Sequence, residues 1–462
     1  MSHSEHKRGS FSGKIGFILS AAGASVGLGN IWRFPFISGQ YGGAIFVLIY
    51  LFFLITLGYP VMVMELALGR ASRRNIVGAY TVLPASGKRN WRRIGMLFFT
   101  GNIILMIFYT SVTGWMIAYA CKYLTGSIAG LPAEKVGPFF NNFLASPEQM
   151  VGYMLITVVG SSLVCALGLR RGVERITKIL MGCLLLLLFG LCIRSCLLPG
   201  AGEGLRFYLE PSLKSIQNVG LFNVIVAAMG QAFFTLSLGI GSIAIFGSYV
   251  DRTHSLAKES LMIIGLDTLV ALLAGVIIFP ACFSYGVDVD SGPGLIFVSL
   301  PNVFNHMTGG RWWGMLFFVF MSIAALTTVV AVFENLIGFM IDEWKFTRRR
   351  AAWINCAVIA VLSLPCALGY NLLRNIRPFG GNSTILDLED YIVSDNILPL
   401  GGLLVVIFCS FRGAWGWENF IAEANTGHGL KFPNRARYYV CVVIPLFIAG
   451  LFLTALFRRW FL

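Results

Sequence analysis

Charge is what this chain has least of. Asp, Glu, Lys and Arg together make up 12% of its 462 residues, about half of the roughly 25% found in soluble proteins. Acidic residues are the scarcer kind, 21 against 35 basic ones. Beside a hydrophobic content of 57%, this poverty excludes an ordinary soluble domain. Histidine is rare as well. His3, His6, His254, His306 and His428 are scattered in polar segments with no ligand spacing, which argues against a metal centre or a catalytic histidine. The ten cysteines stand mostly singly in apolar runs, Cys183, Cys192, Cys282 and Cys409 among them, and read as small buried hydrophobes. No nucleophile, base and acid stand out as a set, so an enzyme is not expected. No short apolar core with a cleavage site precedes the first long run, and an uncleaved protein is expected.

What the chain has in abundance is apolar runs of membrane-spanning length. They cover Ile15–Ile37, Ala44–Leu68, Ile94–Leu124, Val151–Leu169, Ile176–Leu198, Leu221–Val250, Leu261–Tyr285, Trp312–Ile341, Ala351–Tyr370, Ile392–Phe411 and Tyr438–Phe457. Runs of about 20 apolar residues cross a bilayer. The pattern therefore predicts an all-α polytopic membrane protein of eleven transmembrane helices, with no room for a soluble domain.

The net charge of +14 does not call for nucleic acid. If the N-terminus starts inside, 24 of the 35 Lys and Arg fall on the cytoplasmic side, 10 fall outside, and Arg33 lies within a span. Such an excess sets orientation by the positive-inside rule, and the basic loops also suit anionic membrane lipids. An odd number of spans puts the C-terminus outside.

The first span contains a segment that a membrane helix should avoid: Gly23-Ala-Ser-Val-Gly-Leu-Gly-Asn-Ile-Trp-Arg-Phe-Pro35. In a helix interior Gly costs about 1 kcal/mol against Ala, and Pro about 3. Arg at the bilayer centre costs roughly 2.5–3.5 kcal/mol. Freed backbone at membrane depth is tolerated only where it lines an enclosed or watery cavity. A second such segment, Gln231-Ala-Phe-Phe-Thr-Leu-Ser-Leu-Gly-Ile-Gly-Ser242, interrupts the sixth span. The interruptions lie five spans apart, so spans one to five and six to ten start on opposite sides, as an inverted repeat requires. Paired interruptions of this kind mark a midplane binding site. The expected organisation is a cytoplasmic segment over 1–13, repeats over 14–198 and 219–411, and an additional helix over 436–460.

An unwound helix offers carbonyl oxygens at one broken end and N–H groups at the other. The carbonyls suit a cation or an ammonium; the amides suit a carboxylate. One break thus presents both halves of a site for an amino-acid zwitterion. Ser25, Asn30, Thr235, Asp267, Thr327 and Thr328 are candidate oxygen donors at membrane depth. An intramembrane carboxylate such as Asp267 is functional by default, with a bound cation as its expected partner. Glu65, near the inner end of span two, is expected to hydrogen-bond unwound backbone.

Three stretches make the chain recognisable: Gly27-Leu-Gly-Asn-Ile-Trp-Arg-Phe-Pro35, Glu65-Leu-Ala-Leu-Gly-Arg70 and Gly230-Gln-Ala-Phe-Phe-Thr-Leu-Ser-Leu-Gly239. Over nearly its whole length the chain resembles the neurotransmitter:sodium symporter family, particularly bacterial amino-acid transporters such as the leucine transporter.

The resemblance implies two Na⁺ sites and no organic cofactor. The first would use the Ser25 carbonyl, Asn30, Thr235, Asp267 and the substrate carboxylate. The second would use the carbonyls of Gly23, Val26 and Ala324 with the hydroxyls of Thr327 and Thr328. The substrate carboxylate would meet the Leu28 and Gly29 amides and the Tyr109 hydroxyl. Its ammonium would meet oxygens of Ser25, Phe234, Thr235 and Ser237. Val26, Leu105, Tyr109, Phe234, Ile240, Val329 and Val332 would line an apolar side-chain pocket.

Gly27 stands where monoamine-transporting relatives place an aspartate, which favours amino acids over amines. Ile240 stands where the leucine transporter has a larger Phe, so aliphatic and aromatic side chains both stay open. Asp267 replaces an Asn and would supply the negative charge that chloride gives other members. Arg33 should pair with Asp390 outside, under an apolar lid of Phe234 and Tyr109, and Arg8 with Asp342 beside Tyr249 inside. The expected function is Na⁺-coupled uptake of a neutral hydrophobic L-amino acid by alternating access, chloride-independent, in a bacterial cytoplasmic membrane, as a monomer or weak homo-oligomer. A non-transporting amino-acid sensor is the rival reading.

Overall fold

The computed structural model describes residues 11–83, 91–217, 219–286 and 294–461, apart from the side chains of residues 455 and 458–461. Arg8 lies outside the described residues. Every regular element among them is helical, as hydrocarbon demands when each backbone N–H and C=O must be satisfied within its own segment.

Nine helices among the described residues are long and apolar enough to span: Ala44–Ser72, Arg92–Thr125, Pro147–Ala166, Leu169–Cys196, Leu256–Ser284, Gly310–Trp344, Arg348–Leu368, Ile385–Ser410 and Asn434–Thr454. These are spans two to five and seven to eleven. Span one is a pair, Lys14–Ser25 and Gly29–Gln40, bent by 56° at its break. Span six divides into Leu221–Thr235 and Ser242–Gly247. Each piece is shorter than a membrane crossing, so length and composition alone bring the count to ten rather than eleven. The broken helices fall first in each set of five, and span eleven comes after the second set.

Span three has 34 residues, about 51 Å at 1.5 Å per residue. That exceeds a hydrocarbon core of about 30 Å, so it tilts or projects. Burial separates the core from the rim. The most apolar stretches of spans eight and three are 78% and 72% buried within the protein, against 33% for span five and 22% for span eleven. Spans three and eight therefore run through the protein's interior, while five and eleven present apolar side chains at its surface.

Local sequence explains the helix ends. Gly126, at a φ of 83°, closes span three in the left-handed conformation that terminates many helices. Ser146 caps span four ahead of Pro147, and Ser255 caps span seven by accepting from the Lys258 amide.

Six π turns occur among the described residues, and five of them end two residues before a proline: Pro35, Pro60, Pro301, Pro399 and Pro445. Proline lacks the N–H for an i−4 bond, and its ring crowds that carbonyl. A widened turn absorbs the misfit and rotates the next stretch of helix.

Candidate functional site

Span one loses its helix because three glycines and the polar Asn30 fall where apolar packing would be needed. The helix stops at Ser25, and Val26 is extended with ψ 107°. Its last carbonyls have no partners within the helix, so partners come from elsewhere. Thr328 Oγ1 donates to the Val26 carbonyl at 3.1 Å and to Gly23 at 3.4 Å. Thr327 Oγ1 donates to Ala324 at 2.8 Å and to Val26 at 3.5 Å. Three carbonyls and two hydroxyls thus converge on one point between spans one and eight. This is the donor set expected for the second Na⁺ site, and an all-oxygen cluster suits a hard cation.

The other break is laced to the first. Ser237 takes a positive φ of 51°, as do Gly239 at 88° and Gly241 at 71°. Ser237 Oγ donates to the Ala24 carbonyl at 3.2 Å, and Ser25 Oγ to the Leu236 carbonyl at 3.4 Å. Gln231 Nε2 donates to the Gly29 carbonyl at 2.8 Å. Glu65, wholly buried, accepts from the Gly239 amide at 2.6 Å, as expected of it. Asn102 holds the other side, donating to the Ile240 carbonyl at 2.7 Å and accepting from Ser242 Oγ at 3.1 Å. Sequence reasoning missed Asn102 and the part played by Gln231. A buried amide within an apolar run was the signal in each case, since such a group must find backbone partners.

Around Asp267 the second polar knot forms. Asn30 Nδ2 donates to Thr235 Oγ1 at 2.8 Å and to the Asp267 carbonyl at 3.1 Å. Thr235 Oγ1 donates to Asp267 Oδ2 at 3.1 Å. Asp267 is fully buried, and its Oδ1 has no hydrogen-bond partner among the described residues. An orphaned carboxylate oxygen at this depth fits a cation.

Between the knots lies a cavity lined by Ser25, Gly27, Gly29, Leu105, Tyr109, Phe234, Ser237, Ile240, Thr328 and Leu398. The Tyr109 hydroxyl accepts from the Leu28 amide at 2.9 Å, at the end where a substrate carboxylate is expected. A Cβ on Gly27 would meet the Tyr109 hydroxyl and Thr328 Oγ1. One on Gly29 would lie 2.9 Å from the Phe234 ring. Val26, Leu28, Thr235, Val329 and Val332 are buried but stand outside this lining. Val329 is turned about 100° around its helix from Thr328, and Val332 lies a further turn along. Leu398 of span ten joins the wall instead.

The outer gate differs from expectation, and the expected inner partner Arg8 lies outside the described residues. Arg33 reaches Asp395, Nη to Oδ1 at 4.0 Å, and lies 4.2 Å over the Phe234 ring. Asp390 accepts from Ser394 Oγ at 2.5 Å instead. The physical reason is the π turn over Tyr391–Ile397, which changes the register between these carboxylates. On the inner side Asp342 accepts from the backbone N and Nδ2 of Asn75, both at 2.7 Å. Tyr249 donates to Glu334 at 2.7 Å. Arg348 also engages Glu334, with Nη1 at 3.1 Å and Nη2 closer still. Beside them Ser12 donates through its amide (2.9 Å) and hydroxyl to Glu174, which also pairs with Lys178 at 2.8 Å.

Two facing broken helices, oxygen clusters beside them and a cavity between the spans are the marks of a secondary transporter. A model of the sodium:neurotransmitter symporter family matches residues 8–143 and 140–459, and the chain belongs to that family. It is a family of sodium-coupled transporters, not of enzymes. Among solved structures, the crystal structure of MhsT in complex with L-phenylalanine aligns with a TM-score of 0.87 at 34% identity, covering 97% of this chain and 100% of that one. An uncharacterised sodium-dependent transporter of Bacillus subtilis is 33% identical across 97% of this chain and 98% of its own length. The Drosophila melanogaster sodium-dependent serotonin transporter is 27% identical across 98% of this chain and 77% of its own.

Proposed function

We propose that this protein takes up neutral, hydrophobic L-amino acids with two Na⁺ ions per substrate, independently of chloride. The observation that carries the reading is a pair of oxygen clusters at the broken spans, beside a cavity lined by both polar (Ser25, Tyr109, Ser237, Thr328) and apolar (Leu105, Phe234, Ile240, Leu398) side chains. Carbonyls of Gly23, Val26 and Ala324 with the Thr327 and Thr328 hydroxyls would hold one ion. Ser25, Asn30, Thr235, Asp267 and the substrate carboxylate would hold the other. Leu28, Gly29 and Tyr109 would orient that carboxylate. Ser25, Phe234, Thr235 and Ser237 would take the ammonium. Leu105, Phe234, Ile240 and Leu398 offer the side chain no charge, which disfavours acidic and basic amino acids. Gly27 leaves no room for an anionic side chain, so the substrate must bring its own carboxylate, as an amine cannot. The L-phenylalanine in the MhsT structure supports this class.

Alternating access would then work through closures on the two sides. Arg33, Asp395, Phe234 and Tyr109 cover the site outside; Arg348, Glu334, Tyr249, Asp342 and the Ser12–Glu174 contact cover it inside. The Arg33–Asp395 pair is solvated and contributes about 0–1 kcal/mol, which suits a contact that must break on each cycle, whereas the Arg348–Glu334 pair is largely buried. One charge crossing 100 mV is worth about 2.3 kcal/mol. Two Na⁺ with a neutral zwitterion therefore supply about 4.6 kcal/mol, roughly a thousandfold accumulation. One ion would give only about fortyfold. The membrane would be a bacterial cytoplasmic one, and the distribution of basic residues supports an N-terminus inside.

Proteoliposomes loaded with K⁺ and diluted into Na⁺ should accumulate labelled leucine or phenylalanine, unchanged when gluconate replaces chloride. Binding without accumulation would leave the sensor reading instead. Loss of uptake in gluconate would remove the role given to Asp267.

A further inference from the structure

We infer that Leu398 of span ten sets the upper size of the substrate side chain and ties that size to closure of the outer gate; this rests on the cavity being the amino-acid site. Leu398 lines the cavity and is 3% exposed. Its backbone cannot retreat. A Cβ on Gly239 would strike the Leu398 carbonyl and the Gly402 amide, and one on Gly401 would strike the Gly239 carbonyl. Spans six and ten therefore touch backbone to backbone here, and the wall is rigid in the way a size filter requires.

The same short segment carries the outer contact. Asp395, which reaches Arg33, lies three residues before Leu398, within the π turn that precedes Pro399. Arg33 in turn covers Phe234, another residue of the cavity wall. A side chain too large for this fixed wall must instead displace Phe234, and with it the Arg33 that closes on Asp395. Among the lining residues, Ile240 is held through its carbonyl by Asn102, and Phe234 lies beneath the gate. Leu398 joins both pocket and gate through one turn of one helix.

The test measures wild type, Leu398→Val and Leu398→Ala by competition of valine, leucine, phenylalanine and tryptophan against one labelled substrate, with KM and kcat for each. A methylene in an apolar pocket discriminates by roughly 10–200-fold. Leu398→Ala should raise the tryptophan-to-valine affinity ratio at least tenfold and raise kcat for tryptophan. Leu398→Val should fall between, with the Na⁺ concentration for half-activation unmoved in both. A ratio within twofold of wild type in a variant that still binds overturns the inference and leaves the function intact. If Leu398→Ala fails to fold, Leu398→Val carries the same criterion. Wild-type protein that binds none of the four overturns both readings together.

Discussion

At the scale of single residues, the proposed function turns on Asp267, Gly27 and the threonine pair. Asp267 is buried with one oxygen unpaired among the described residues, a costly arrangement unless a cation completes it. Asp267→Asn keeps the shape and removes the charge. Na⁺ titration of substrate binding should then show the half-activating concentration rising tenfold or more; an unmoved midpoint would take Asp267 out of the first site. At Gly27 the obstacle is steric. Gly27→Ala must displace Tyr109 or Thr328, so substrate affinity should fall at least tenfold with the protein still folded. The Thr327→Ala, Thr328→Ala double variant removes two of five converging oxygens, and Na⁺ activation of uptake should weaken strongly. Unchanged activation would remove the second site.

At the scale of elements, the breaks are held open by side chains from neighbouring helices. Glu65 is the clearest case: a buried carboxylate on a backbone amide at 2.6 Å. Hydrogen bonds to charged groups contribute about 1.5–3 kcal/mol, so Glu65→Ala should lower the melting temperature measurably and abolish substrate binding. Its presence in an apolar run made the role legible beforehand. The breaks were legible too, because glycine, asparagine and arginine contradict a membrane helix locally. The partner of Arg33 was not. Asp390 and Asp395 look alike in a linear reading, and it is Asp395, inside the π turn over Tyr391–Ile397, that Arg33 meets. The inner contact of Ser12 with Glu174 joins segments 162 residues apart, which no periodicity reports. Glu174→Ala should speed amide exchange across residues 11–20 about tenfold or more by mass spectrometry, while exchange in span eight stays as it was.

At the scale of the whole molecule, the spans were readable as apolar runs, and all eleven have helical counterparts, although span six is divided into pieces too short to cross singly. Which spans form the core was less readable. Spans five and eight share a hydropathy of 2.5, yet their central stretches are 33% and 78% buried. In a bilayer, lipid-facing and protein-facing surfaces are both apolar, so hydropathy carries little of that distinction. Contribution of Leu398 to the cavity was hidden for the same reason: one leucine in an apolar helix gives no sign of which neighbour it meets.

Two facing breaks that hold Na⁺ and an amino acid together are what the proposed transport stands on. The sharpest check is equilibrium binding of labelled leucine or phenylalanine to the purified protein, titrated with Na⁺ at constant ionic strength against K⁺. The expected result is no binding in K⁺ and a steep Na⁺ activation that Asp267→Asn shifts to higher concentration. Binding of equal strength in K⁺ and Na⁺ would contradict the coupling of ion and substrate at this site.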